Sequence, residues 1–124
     1  MTMLTKKLLD KIRDVLETHG TSRIKQRLWD DDFSRGRWNC LDTTVDDCVY
    51  SRIEKSAKGG SILDLGCGSG GTANELNGSA YRDYTGVDIS EVAVGKAKKR
   101  TEENGRGSRC RFLQGDVITY EPEQ

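Results

Sequence analysis

Leu4, Leu8, Ile12, Val15 and Leu16 recur at helical spacing with Lys, Arg, Asp and Glu between them. That pattern predicts an amphipathic first helix, closed by Gly20. A second short helix is predicted from Ser22 to about Trp29, with Ile24 and Leu28 on one face. Residues 30–41, DDDFSRGRWNCL, show no period and read as a loop. Helix signals return at residue 43. Thr43 or Thr44 can cap, and Val45, Cys48, Val49, Ile53 and Ala57 share a face that ends at Gly59-Gly60. The character of the chain then changes. Ser61–Leu65 is a short apolar run leading straight into glycines, and a brief helix follows over about residues 71–77. Residues 84–88 read as a second strand. Ser90 can cap a helix over Glu91–Glu103 that Asn104-Gly105 terminates, and residues 109–114 read as a third strand. Strand, glycine loop, helix, strand, helix, strand is the order of an α/β fold with a parallel sheet and right-handed crossovers.

Composition narrows the function classes. At 124 residues the chain fits one domain. Twenty basic and twenty acidic residues cancel, so there is no global pull toward nucleic acid or an anionic membrane. The basic stretch from Lys96 through Arg111 reads as a solvated helix end and its flank. No apolar run approaches the ~20 residues that span a bilayer. The four cysteines, Cys40, Cys48, Cys67 and Cys110, form no CxxC pair, and there is a single histidine, His19. A zinc site and a histidine-based nucleophilic set are thereby disfavoured, and the thiols fit a reducing, cytoplasmic setting.

The chemistry concentrates in SILDLGCGSG, residues 61–70, with Gly71 beyond. Glycines between a strand and a helix let a ligand lie against bare main chain. Gly66, Gly68 and Gly70 give GxGxG, while Gly66, Gly68 and Gly71 also satisfy the dinucleotide pattern GxGxxG, so spacing leaves both open. Asp88 ends the next strand about 20 residues on, where a carboxylate grips ribose hydroxyls. Asp64 discriminates. A carboxylate beside a pyrophosphate costs about 1 kcal/mol or more per charge pair at ~4 Å. S-adenosylmethionine (SAM) carries no phosphate but has an ammonium and a sulfonium, which an acid favours. The alternatives that remain are an Asp64 that hydrogen-bonds loop amides and an NAD-type dinucleotide-binding domain.

DLGCGSG, GVDIS and FLQGDV resemble the first three motifs of the class I SAM-dependent methyltransferases, over residues 61–117. The resemblance implies a Rossmann-like core over residues 59–124, preceded by a helical segment and cofactor-covering loop over residues 1–58, together one domain. It implies that Gly66, Gly68 and Gly70 line the methionine part of the cofactor with Cys67 beside it, and that Asp64 sits near its amino group. Asp88 would take the ribose hydroxyls and Ile89 would pack on adenine. Asp116 would accept from the adenine amino group, with Val117 beside the ring. In the segment before the first motif, Arg37 would bind the cofactor carboxylate, and Trp38 or Phe33 would cover its apolar side. The implied partners are SAM or S-adenosylhomocysteine and a methyl acceptor, with a small molecule favoured over nucleic acid. The sequence stops soon after Asp116, before the fourth strand of the family's sheet, which predicts a three-stranded, truncated core. Two expectations follow: a cofactor-binding fragment lacking the acceptor half, and a homodimer joined through an exposed sheet edge.

Overall fold

The computed structural model describes residues 1–43 and 48–123. Helix α1 spans Met3–His19 and α2 Ser22–Ser34, followed by a short 3-10 turn over Asn39–Thr43. Helix α3 spans Cys48–Ala57, strand β1 Ser61–Leu65 and helix α4 Gly71–Glu75. Strand β2 covers Asp83–Asp88, α5 Glu91–Glu103 and β3 Cys110–Gln114. Thr44 and Val45, the predicted cap and face position, lie outside the described residues.

The strands form a parallel sheet in the order β1-β2-β3, with Leu65 opposite Val87 and Asp88 opposite Gln114. This is the expected α/β architecture, and its register brings the carboxyl ends of all three strands to one edge. Local signals explain the elements. Thr2, Thr21 and Ser90 accept amide hydrogens at the starts of α1, α2 and α5, and the Gly20 amide closes α1 on the Leu16 carbonyl. The core lies between the sheet and α4–α5: Ala73, Leu76, Tyr81, Tyr84, Val94, Ala97 and Phe112 are buried there, with Tyr50 and Ile53 of α3 packed against them. Tyr84 sits at its centre, its ring centroid 5.3 Å from Tyr81 and 6.1 Å from Phe112.

Two departures from the sequence pattern have physical causes. First, α2 continues through Asp30, Asp31, Asp32, Phe33 and Ser34, where the aperiodic run predicted a loop. Each aspartate in that run has a partner that the sequence does not display. Asp30 accepts from Ser90 Oγ at 2.6 Å and from the Val92 amide at 3.1 Å. Asp31 pairs with Arg35, and Asp32 with Arg13 and Arg37. Second, the apolar stripe of α1 forms a helix but does not enter the core. No residue of α1 is buried, and Leu4, Leu8, Ile12 and Val15 are 48–82% exposed. Among the described residues no helix is long and apolar enough to cross a membrane.

Candidate functional site

The glycine loop leaves β1 and is fastened to the end of β2 by its own amides. The Gly66 and Cys67 N–H groups donate to the Val87 carbonyl at 2.7 and 3.0 Å, and the Gly68 N–H donates to Asp88 Oδ2 at 2.9 Å. The Gly70 N–H turns back to the Cys67 carbonyl at 3.1 Å. Gly66, Gly68 and Gly70 all take the left-handed conformation, at φ 88°, 53° and 83°; a side chain there costs roughly 1–2 kcal/mol per residue. Gly70 has a second constraint. A Cβ on it would lie 3.0 Å from the Ala97 side chain, so this glycine seats the loop on α5. Beneath the loop, a Cβ on Gly86 would lie 2.7 Å from the Phe112 ring and 2.8 Å from Cys67 Cβ, so β2 must be bare where the loop crosses it.

Two joined compartments lie above this floor. The larger, about 430 Å³, is lined by Gly66, Gly68, Asp88, Ile89, Asp116, Val117 and Ile118 from the sheet side. Lys25, Trp29, Phe33, Trp38 and Leu41 line it from the helical side. That volume falls within the range of about 300–1,000 Å³ typical of small-molecule sites. The Asp88 carboxylate is buried. Its Oδ1 accepts from the Ser90 amide at 2.9 Å while Oδ2 holds the loop, so its position is fixed from both sides. Asp116 accepts from Ser22 Oγ at 2.6 Å, which ties the start of α2 to the end of β3. That hydrogen bond, helped by the Ile118 amide and Lys25, holds the Asp116 carboxyl below its usual range and keeps it ionised. Trp29 lies between two aromatics, 6.4 Å from Phe33 and 5.7 Å from Trp38, and completes the roof.

The smaller compartment, about 220 Å³, shares Phe33, Trp38, Leu41, Gly66 and Gly68 with the larger and extends past Cys67 and Ser69 to Asp42, Tyr50, Gly71 and Thr72. Cys67 is buried, and burial, reinforced by the nearby Asp88 and Asp64 charges, pushes its thiol up to about 12. It therefore stays protonated and serves as small apolar lining.

Of the residues singled out from the sequence, Gly66, Gly68, Asp88, Ile89, Asp116, Val117 and Trp38 converge on the larger compartment, and Cys67 on the smaller. Three lie elsewhere. Gly70 faces α5. Arg37 Nη1 pairs with Asp32 Oδ1 at 2.9 Å and lines neither compartment. Asp64 points into an open trough between α3 and β1, beside Ile53 and Thr72, where the Tyr84 hydroxyl donates to it. Burial raises the Asp64 carboxyl above its usual range, the Tyr84 hydrogen bond opposes that shift, and the Asp88 charge adds to it. Trp29, Lys25, Leu41, Asp42 and Ile118 were not legible as site residues. Trp29 alone had a signal, its placement one helical turn before Phe33, and reading that signal required α2 to continue.

A family profile described as "Methyltransferase domain" matches residues 62–124. The chain is 40% identical over 60 residues to the sterol 24-C-methyltransferase ERG6B of Gibberella zeae, covering 48% of this chain and 16% of that protein. It is 37% identical over 76 residues to the uncharacterized protein YjhP of Escherichia coli, covering 58% of this chain and 29% of that one. Among solved structures, a SAM-dependent methyltransferase from Geobacter sulfurreducens in complex with S-adenosyl-L-homocysteine superposes with a TM-score of 0.50 at 28% identity, over 64% of this chain and 33% of that one. The chain belongs to the class I SAM-dependent methyltransferase family, and its sheet is the start of that Rossmann-like fold. It spans less than a third of the length of these curated relatives.

Proposed function

We propose that this chain binds SAM across the two joined compartments and provides the methyl-donor portion of a methyltransferase. The observation that carries the reading is the Asp88 carboxylate, buried at the floor of the larger compartment and hydrogen-bonded to the Gly68 amide, with Ile89 and Val117 in the same wall. Its oxygens keep lone pairs for two vicinal hydroxyls while the loop fixes their direction. The cradle also fits by shape: a Cβ on Gly68 would enter the space under the Phe33 ring, 3.6 Å from its Cζ. The Trp38 indole nitrogen is buried there without a hydrogen-bond partner. In this reading Ile89 and Val117 flank the purine, Asp116 accepts from its exocyclic amine, and Asp88 holds the ribose. Gly66 and Gly68 floor the amino-acid portion. Residues 59–124 carry these contacts, and residues 1–58 form the cover.

Bound SAM supplies an electrophilic methyl group on a sulfonium. The residues of this chain orient it and exclude water: Trp29, Phe33 and Trp38 shield the apolar roof while Asp88 fixes the ribose end. Orientation is the main demand of such a displacement, which agrees with a site built from positioning groups rather than an acid–base pair. The relatives are named for different acceptors, a sterol in one and an mRNA cap guanine in another, so what this chain shares with them is the donor site.

Isothermal titration calorimetry with S-adenosylhomocysteine, and with NAD as comparator, tests the reading. The expected result is one-to-one binding of S-adenosylhomocysteine that Asp88→Ala weakens by at least about 100-fold, since it removes a charge-assisted acceptor of two hydroxyls at about 1.5–3 kcal/mol each. Tighter binding of NAD than of S-adenosylhomocysteine would overturn it.

A further inference from the structure

We propose that the exposed apolar stripe of α1 is a docking surface for a second copy of this chain, the two helices pairing antiparallel about a two-fold axis. No residue of α1 lines either compartment, so the inference stands apart from the SAM reading above.

Three observations converge. The first is the direction in which the stripe faces. Arg13 is turned toward α2, where its Nη2 donates to Oδ2 of the buried Asp32 at 2.5 Å. At about 100° per residue, Leu4, Leu8 and Val15 lie about 180°, 140° and 160° round the helix from Arg13. The stripe therefore points away from the helix that holds α1 in place. The second is its extent. Leu4, Leu8, Leu9, Ile12 and Val15 are all exposed along a helix of 17 residues, which is about 25 Å long. A single exposed leucine is ordinary, but five apolar side chains in one continuous row make a patch that association removes from water.

The third observation is charge, and it selects the occupant. One flank of the stripe carries Lys7, Lys11 and Asp14. With Leu8 level with Ile12 of the second copy in an antiparallel pair, Leu4 meets Leu16 of the second copy. Lys7 then falls within one residue of Asp14 of the second copy, and symmetry repeats the pair. A parallel pair sets Lys7 beside Lys7 and Asp14 beside Asp14, and both contacts repel. Lys11 lies near the axis, where its stem covers the stripe while its ammonium reaches water. A bilayer fits less well. Lys6, Lys7, Lys11 and Arg13 are interleaved with Asp10, Asp14 and Glu17, whereas a helix that lies on an anionic membrane carries a predominantly basic polar face.

Sedimentation equilibrium of the 124-residue chain over a wide concentration range tests the proposal. The expected result is a monomer–dimer equilibrium with a dissociation constant on the order of 10–100 μM, as suits the small interface of one helix pair. Leu8→Glu alters a side chain that is already exposed, so the circular dichroism of the chain should be unchanged while the dimer is lost. Lys7→Glu and Asp14→Lys should each weaken the dimer by about threefold, and an equimolar mixture of the two should associate as the wild type does. A monomer at every concentration would overturn the proposal. So would single charge variants that leave the dimer unchanged, since a parallel pair predicts that result. A dimer that survives Leu8→Glu but dissociates with Leu63→Glu would place the interface on the exposed sheet instead. A monomer that binds phosphatidylglycerol vesicles, and loses that binding with Leu8→Glu, would assign the stripe to a bilayer and equally overturn the proposal.

Discussion

The floor and the roof of the cavity are built on different principles. The floor is local in sequence and covalently continuous: β1 runs into the glycine loop, the loop amides bond to Val87 and Asp88, and Ile89 follows directly. The roof is assembled from α2 and the turn over Asn39–Thr43, which reach the sheet through single polar ties between distant residues. Ser22 bonds to Asp116, Asp30 to Ser90, Asp42 to Ser69, and Lys96 Nζ donates to the Phe33 carbonyl at 2.6 Å. A floor held by close packing tolerates no added atoms. A roof held by separate hydrogen bonds can lose one and remain in place.

Gly86→Ala is the sharpest probe of the floor. The new methyl would sit 2.7 Å from Phe112 and 2.8 Å from Cys67, and overpacking of this kind costs about 1–3 kcal/mol. A clear fall in melting temperature is expected, together with weakened nucleoside binding because Cys67 belongs to the loop. A melting temperature equal to wild type would show that the floor is looser than drawn. For the roof, Ser90→Ala removes both the cap on the Ala93 amide and the donor to Asp30, with an expected cost of about 1 kcal/mol. Its effect on chemical denaturation midpoint should be smaller than that of Gly86→Ala; a larger one would reverse the ranking of the two walls.

The smallest effect is the one with a defined pH sense. Burial raises the Asp64 carboxyl, so ionising it disfavours the folded state; the stability it costs is absent below the ordinary carboxylate range and appears as pH rises through the raised value. Asp64→Asn, which keeps an acceptor for Tyr84, should therefore raise the melting temperature slightly at pH 7, with the gain shrinking as pH falls toward 4. A gain that grew on acidification would contradict the assignment.

The floor was legible in the sequence for the same reason that it is rigid. Its determinants are adjacent residues with strong backbone meaning: three alternating glycines, an aspartate at each of two strand ends, and a serine cap. The roof was not, because its determinants are pairs such as Asp30 with Ser90 and Asp42 with Ser69, which one chain read in order does not bring together. The same limit hides the partner of Asp64, the Tyr84 hydroxyl. Alternation in β1 puts Asp64 with Ile62 on the face toward α3 and Tyr84. In α1 the apolar period matches the helix, but periodicity gives the shape of an element and not what covers it.

The most direct test of the central claim is a titration of the isotope-labelled chain with S-adenosylhomocysteine followed by amide and indole chemical shifts. Saturable changes at Gly66, Gly68, Ile89 and Val117 on the floor and at the Trp29 and Trp38 indoles of the roof, all with one dissociation constant, are the predicted result. Shifts confined to the trough beside Ile53 and Asp64, or none at ligand saturation of a related methyltransferase run in parallel, would contradict it.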